Sequence, residues 1–192
     1  MKIIFATNNL NKLLEIKALM PKEIQVISLK EIDCGEDIPE TGTTLEANAF
    51  QKAHYIKKHY GFDCFADDTG LEIEALKGAP GIYSARYAGT DRSAEANIKK
   101  VLIELHDKQN RKAQFRTAIA LIINGQEHLF EGIVKGQISK IKKGENGFGY
   151  DPIFIPENET RTFAQMTLDE KSKISHRGHA FNKLLTHLHL LV

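Results

Sequence analysis

Apolar and polar positions alternate along the first third of the chain in a way that predicts two strands and two helices. An apolar run from Lys2 to Thr7 is typical of a buried strand, and leucines at helical spacing follow it until Pro21. Residues 24–29 alternate like a second strand. Thr43-Thr44-Leu45-Glu46 resembles a capping box for a helix that Gly61 would end. One face of this helix should lie in the core: Leu45, Ala49, Ala53 and Ile56.

The rest of the chain continues this mixture of helical and strand patterns. Residues 98–105 have the spacing of an amphipathic helix, and the last predicted helix carries Phe181, Leu184, Leu185 and Leu188. Residues 115–123 and 127–138 have the pattern of strands, and Asn124-Gly125 between them is a strong hairpin signal. Helices and strands interleave, yet one strand pair is a hairpin. We therefore expect α/β architecture around a mixed sheet.

Composition narrows the class of protein. With 192 residues the chain can form one domain, or two lobes that share a sheet. A formal net charge of +1 argues against a non-specific nucleic-acid binder but leaves room for a local basic pocket. Cys34 and Cys64 have no metal-site spacing, so free thiols in a reducing compartment are expected. No apolar run is long enough for a transmembrane helix or a signal peptide, which makes the cytoplasm the expected location.

Asp67-Asp68-Thr69-Gly70 is the most informative stretch of the chain. It lies between the apolar residues 64–66 and a strand-like segment, 71–76. Adjacent side chains on a strand point to opposite faces, so the two carboxylates should have different roles. A buried carboxylate is costly unless a metal, a cation or a proton-transfer task compensates it. A polar turn between two strands is the alternative that these residues leave open.

Two segments could bind phosphate and metal. The loop Thr7–Lys12 between the first strand and helix would present backbone N–H groups and a lysine to an anion, although an Asn-rich helix cap explains it too. Asn48 and Lys52 are spaced i, i+4 and could face one ligand. Glu40 with the Asp67-Asp68 pair offers the oxygen ligands that Mg²⁺ prefers, unless it belongs to a solvated acidic loop.

Other segments could bind a flat ligand. In residues 147–152 two glycines permit close backbone approach, and Phe148 and Tyr150 offer faces for stacking. The glycine-bounded segment 78–89 could cover a ligand or simply connect two elements. Lys171, His176 and Arg177 can donate hydrogen bonds to a base or a phosphate. The helix dipole disfavours cations at the start of the last helix, which favours a ligand there. Together these segments indicate a nucleoside triphosphate site.

Five motifs in order resemble the inosine triphosphate pyrophosphatase family, whose members are also called dITP/XTP diphosphatases. They are TNNLNK (7–12), ETGTTLEANAFQKA (40–53), ADDTGLEIEALKGAPGIYSARYAG (66–89), NGFGYDPIF (146–154) and EKSKISHRG (170–178). The resemblance implies Mg²⁺-dependent hydrolysis of ITP, dITP and XTP to the monophosphate and pyrophosphate. It also implies one domain over residues 1–192, built as two lobes around a long mixed sheet flanked by helices. A nucleotide cleft between the lobes and a homodimer are further expectations.

The same resemblance assigns roles to individual residues. Asp68 would be the general base and, with Glu40, a ligand of Mg²⁺. Many relatives carry Ser where this chain has Thr69, and the hydroxyl is kept. Arg177 or a backbone N–H would donate to the purine 6-carbonyl. The expected substrate-binding residues are Thr7, Asn8, Asn9, Leu10, Asn11, Lys12, Lys52, Thr69, Phe148, Gly149, Tyr150, Asp151, Lys171, His176 and Arg177.

Other functions remain possible at this point. Asp68-Thr69-Gly70 is also the signature of aspartic proteases, but those enzymes need two such carboxylates in a largely β framework and the triplet occurs once. The spacing of Asp67-Asp68-Thr69 does not fit a phosphatase that forms an aspartyl phosphate. A non-catalytic nucleotide sensor would bind ITP without turnover and would tolerate Asp68→Asn.

Overall fold

The seven strands in the described part of the chain, residues 1–190 of a computed structural model, form one mixed sheet. Their order is β2-β1-β3-β5-β6-β7, and β4 pairs with β3. β1 is parallel to β2 and β3, while β4 is antiparallel to β3 and β7 to β6. The strands are β1 (Lys2–Phe5), β2 (Gln25–Ser28), β3 (Cys64–Ile73), β4 (Pro80–Gly81), β5 (Lys112–Ile123), β6 (Gln126–Ile138) and β7 (Phe154–Pro156).

Residues 1–190 also contain five α-helices, which confirms the predicted α/β class. They are α1 (Leu10–Leu19), α2 (Leu45–Tyr60), α3 (Ala94–Glu104), α4 (Leu168–Ile174) and α5 (His176–His189). None of the helices described there is both long and apolar enough to cross a membrane. The predicted hairpin joins β5 to β6, and Asn124 and Gly125 both have positive φ, as this tight turn requires.

The sequence located α2 accurately, but not its cap. Thr44 is the N-cap, and its hydroxyl accepts the Ala47 N–H at 3.1 Å. The predicted capping box, which began at Thr43, is therefore wrong: the N-cap is one residue later, and Ala47 at the third helical position has no side chain that could complete a box. Gly61 ends the helix in the left-handed conformation, as expected. All four residues predicted for the core face of α2 are buried.

Helix α1 differs more from its pattern. Leu10 and Leu14 are largely exposed, whereas Glu15 and Ile16 are buried. Apolar spacing thus located the helix but not its buried face. Glu15 can be buried because it forms an ion pair with Arg177 of α5.

The chain divides into two compact units. The first comprises residues 1–68, 117–132 and the segment that begins at Arg177; the second comprises residues 69–116 and 133–176. In the first unit Phe5 stacks on Phe65, with ring centroids 4.5 Å apart, within an apolar cluster that α5 helps to form. In the second unit Phe115 packs edge-on against Phe154 at 4.7 Å. The expectation of a single domain remains a prediction.

Candidate active site

Asp67, Asp68, Thr69 and Gly70 lie in the interior of β3. The polar-turn interpretation is therefore wrong: the strand runs without a break from Cys64 to Ile73. A Cβ on Gly70 would lie 2.8 Å from the Gly81 carbonyl oxygen of the paired strand β4, which explains a glycine here. Both carboxylates are buried, and their side chains contact different partners.

Asp67 is held by two cations. Its carboxylate accepts from Lys12 Nζ at 3.0 Å and from Arg177 Nε at 3.0 Å. Burial alone would raise the pKa of Asp67, but the charges of Lys12, Arg177 and Lys52 outweigh it and lower that pKa below its ordinary value. Asp67 is therefore favoured in its ionised form.

Glu15 completes this charged cluster. Arg177 Nη1 donates to the Glu15 carboxylate, and both side chains are buried. Burial would lower the pKa of Arg177, but Glu15 and Asp67 together raise it. The sequence analysis missed Glu15. Its spacing of i, i+3 from Lys12 on α1 was the only local signal, because its partner lies 162 residues away.

Asp68 has a different environment. Its carboxylate accepts a hydrogen bond from Asn48 Nδ2 at 2.9 Å. Burial raises the pKa of Asp68 and Glu40 adds to the rise, while the charges of Lys52 and Lys12 oppose it. The ammonium groups of Lys52 and Lys12 can attract an anionic ligand, and a carboxylate whose pKa is raised can accept a proton beside them.

Lys52 links Glu40 to β3. Its ammonium group donates to the Glu40 carboxylate and, at 2.8 Å, to the Asp67 carbonyl oxygen. Burial would lower the pKa of Lys52, but Asp68, Glu40 and Asp67 outweigh it, and the pKa is raised. Asn48, one turn earlier on α2, also reaches β3. The pair predicted to face one ligand thus faces the Asp67-Asp68 segment.

The loop Thr7–Lys12 caps α1 with its own side chains. Asn9 Oδ1 accepts the backbone N–H groups of Asn11 and Lys12 at 3.0 and 3.2 Å, and the Asn9 N–H donates to Thr7 Oγ1 at 3.2 Å. Asn8 donates to the Glu36 carbonyl oxygen at 3.1 Å, and Leu10 is exposed. Several donors expected for phosphate are therefore used within the loop or by Glu36. The helix-cap interpretation is correct for Asn9.

Lys12 is the lysine that was expected to face an anion at this loop. Its ammonium group lies against Asp67, and burial lowers its pKa, while the Asp67 charge opposes this effect. Lys12 and Lys52 both contact Asp67, so the first unit holds two ammonium groups beside this residue, one partly and one fully buried.

In the second unit, Asp151 organises the segment Gly147–Asp151. Asp151 Oδ2 accepts the Phe148 N–H at 2.8 Å and Lys171 Nζ at 2.5 Å, and both ionic side chains are buried. Lys171 Nζ lies 4.9 Å from the centroid of the Phe148 ring. Gly147 and Gly149 have positive φ, which this tight turn requires. The partly exposed Phe148 ring keeps a face for stacking.

Two expected ligand contacts are not supported by the geometry. The Tyr150 ring is buried in the core and its hydroxyl donates to the Ser84 carbonyl oxygen at 2.8 Å, so the prediction of a stacking face there is wrong. The cationic start of α5 is compensated by Glu15 and Asp67, so it gives no separate indication of a ligand. Arg177, which donates to both carboxylates, is better placed to position Asp67 than to contact a base.

The remaining predicted residues have ordinary structural surroundings. His176 is buried and stacks on Phe115, with ring centroids 4.4 Å apart. Thr69 follows Asp68 on β3 and is half-buried. Asn11 is exposed on the first turn of α1. Direct contact of these three with substrate remains a prediction.

Comparison with known proteins places this chain in a family. A model of the Ham1 family matches residues 3–187. A dITP/XTP pyrophosphatase of Christiangramia forsetii is 56% identical over 98% of this chain and 99% of its own length, and that of Bacillus subtilis is 49% identical over 94% and 93%. The structure of the Ham1 protein of Staphylococcus aureus, 42% identical, superimposes with a TM-score of 0.90 and covers all of both chains. The chain belongs to the Ham1 family, which confirms the family resemblance.

Proposed function

We propose that this protein hydrolyses non-canonical purine nucleoside triphosphates, namely ITP, dITP and XTP, to the monophosphate and pyrophosphate. This would remove deaminated purines from the nucleotide pool. The proposal rests mainly on the surroundings of Asp68: its carboxylate is buried, its pKa is raised, and two lysines lie near it. It lies in a chain whose relatives are named dITP/XTP pyrophosphatases.

In the proposed reaction Asp68 orients a water molecule and accepts its proton. The water oxygen attacks the α-phosphorus, the bond from that phosphorus to the bridging oxygen breaks, and pyrophosphate leaves. The ammonium groups of Lys12 and Lys52 would offset the charge of the phosphates. Both groups contact Asp67, the residue before Asp68 on β3. Positioning and charge neutralisation account for most of the acceleration in phosphoryl chemistry of this kind.

The acidic residues fit a magnesium ion that substrate helps to bind. Among residues 1–190 no group of three or more His, Cys, Asp or Glu side chains could enclose a metal. Mg²⁺ commonly uses only one or two carboxylates, with waters and phosphate oxygens as its other ligands. Glu40 and Asp68, which share Lys52 as a neighbour, would supply them. When bound, the ion would neutralise and align the phosphate oxygens.

Recognition of the base is assigned to the second unit. Phe148 would stack on the purine, while Lys171 and Asp151 fix the segment that carries it. A 6-carbonyl accepts a hydrogen bond that the 6-amino group of adenine cannot, and one unpaired buried donor costs about 1–3 kcal/mol. Guanine shares the 6-carbonyl, so its exclusion must depend on the 2-position.

A homodimer and a cytoplasmic location are also proposed, on the family resemblance and the soluble composition. Light scattering coupled to gel filtration tests the first: a mass near twice 21.6 kDa is expected, and a mass that stays at the monomer value when the protein is concentrated contradicts it. Neither proposal enters the chemical argument.

The decisive experiment is turnover of ITP, dITP, XTP, ATP and GTP with and without Mg²⁺, with pyrophosphate resolved from orthophosphate. We expect pyrophosphate from the first three substrates only when Mg²⁺ is present. Equal activity on ATP and ITP would refute the proposed substrate class, and orthophosphate as the sole product would refute attack at the α-phosphorus.

A second experiment tests Asp68 itself. Asp68→Asn should lower kcat by orders of magnitude while nucleotide binding persists, because the amide cannot accept the proton. Asp63→Asn is the matched control. Asp63 pairs with Lys57 at a distance of 2.8 Å and has no part in the proposed reaction, so this change should leave kcat unchanged. A nearly normal kcat in Asp68→Asn would favour a sensor that binds without turnover.

A further inference from the structure

The segment Pro80–Ala88, here called the Ser84 loop, is held by a side chain outside it. Asn97 of α3 accepts the Ala88 N–H at 2.7 Å through Oδ1, and its Nδ2 donates to the Ala85 carbonyl oxygen at 3.0 Å. Asn97 is buried, so water does not compete for these bonds. The loop is therefore fixed from the helix side, although Tyr83 near its middle is exposed.

Ser84 connects this loop to two other segments of the second unit. Its hydroxyl accepts the Leu71 N–H at 2.9 Å and donates to the Gly81 carbonyl oxygen at 2.6 Å. Its own carbonyl oxygen accepts from the Tyr150 hydroxyl at 2.8 Å and from Asn97 Nδ2 at 3.4 Å. Ser84 thus joins β3, just after Thr69, to the segment that contains Phe148 and Asp151.

We propose that Ser84 and Asn97 are positioning residues for purine recognition, acting through Tyr150; this inference rests on the proposed function. Tyr150 lies between Phe148, the expected stacking residue, and Asp151, which binds Lys171. Its buried ring and its hydrogen bond to Ser84 fix the position of the backbone at residue 150. A displacement of Tyr150 is therefore passed to both neighbours along the chain.

The hydrogen bond between Tyr150 and Ser84 should matter for discrimination between bases, because discrimination depends on the exact position of the groups that contact the base. Rejection of an adenine or guanine requires fixed donors and acceptors, and small misplacement weakens that rejection. Loss of the Tyr150–Ser84 bond should therefore affect the choice of base. The phosphate chemistry, assigned to side chains of the first unit, should continue at nearly its normal rate.

A purely structural role would give a different result. If these residues only stabilise the fold, their removal lowers the fraction of active enzyme and reduces kcat for every substrate by the same factor. Positioning of the base segment predicts instead a raised KM and a lower ratio of kcat/KM between dITP and dATP, with kcat for dITP retained.

The test uses Tyr150→Phe, Asn97→Ala and their double variant in the full chain. Tyr150→Phe keeps the ring and removes one hydroxyl, so it should fold. Loss of this hydrogen bond should lower the preference for dITP by roughly 2–10-fold. The double variant should be little worse than the poorer single variant, because both changes act on the Ser84 loop.

Tyr87→Phe is the matched control. Its hydroxyl donates to the Glu104 carboxylate and not to the loop backbone, so its dITP preference should equal that of the wild type. Unchanged preference in Tyr150→Phe and Asn97→Ala, or an equal loss of kcat on all nucleotides, would overturn the inference. Titration calorimetry with dITP and with dATP in EDTA compares their affinities without turnover.

The two proposals fail in different ways. If the wild type releases no pyrophosphate from dITP, the proposed function fails. If the wild type is active and selective while all variants retain its preference, only the positioning role of Ser84 and Asn97 fails.

Discussion

Arg177 joins two buried carboxylates, and its removal should be the most destabilising single change at the candidate site. Its Nε donates to Asp67 at 3.0 Å, its Nη1 donates to Glu15, and all three side chains are almost fully buried. Arg177→Met keeps most of the apolar volume but leaves Glu15 without this cation and leaves Asp67 with Lys12. The change therefore isolates the electrostatic contribution.

The magnitude follows from the number of bonds lost. Two hydrogen bonds between charged groups contribute about 1.5–3 kcal/mol each, and breaking a buried ion pair by removal of one partner typically costs about 3–5 kcal/mol. We expect the free energy of unfolding to fall by about 3–5 kcal/mol. For a chain of this length that is a decrease of roughly 6–20 °C in Tm.

Urea denaturation at neutral pH measures this effect independently of enzymatic activity. Lys173→Met serves as the control, because its pair with Asp169 at 3.3 Å is largely exposed and should contribute nothing measurable. The double variant Glu15→Gln/Arg177→Met should be less destabilised than the sum of its single changes, since removal of both partners leaves no isolated charge. A loss below about 1 kcal/mol in Arg177→Met, with an unchanged m-value, would refute the stabilising role of this cluster.

Three further predictions concern β3. Burial would raise the pKa of Asp67, but neighbouring cations lower it below its ordinary value of 3.8. The ionised carboxylate therefore stabilises the fold at pH values above 3.8. This stabilisation is lost as the pH falls towards the lower pKa of the folded state. Asp67→Asn should flatten the acid part of a stability-pH curve; an unchanged curve contradicts this. Burial raises the pKa of Asp68, so its ionised form destabilises the fold at neutral pH. Asp68→Asn should therefore raise the Tm measured in EDTA, and a lower Tm would contradict this prediction. Gly70→Ala should cost roughly 1–3 kcal/mol through contact with Gly81, whereas Gly35→Ala, with no atom within 4 Å of its Cβ, should be neutral in the same denaturation assay.

Local periodicity was sufficient for the elements that depend on local signals. The face of α2 from Leu45 to Ile56 and the turn at Asn124-Gly125 were predicted correctly because burial at helical spacing and positive φ at a tight turn leave direct traces in the sequence. The motif order was also sufficient to recognise the family, since it extends over nearly the whole chain.

Contacts between distant residues could not be read in the same way. Arg177 and Asp67 are 110 residues apart, and Tyr150 and Ser84 are 66 apart. Neither pair has a periodic signature, so the sequence did not reveal that Arg177 pairs with buried carboxylates or that the Tyr150 ring lies in the core. The Asp-Gly composition of residues 67–70 similarly suggested a turn, where pairing of β3 with its neighbours overrides local propensity.

The continuous strand explains why two adjacent aspartates have different chemistry. In a strand successive side chains project to opposite faces, so Asp67 and Asp68 meet different neighbours. Asp67 is stabilised as an anion by Lys12 and Arg177, and a carboxylate held so acidic is a weak base. Asp68 has an amide from Asn48 as its partner and a pKa raised by burial, which suits proton acceptance. For Asp67 to take the base role proposed for Asp68, the cations that keep it ionised would have to be removed.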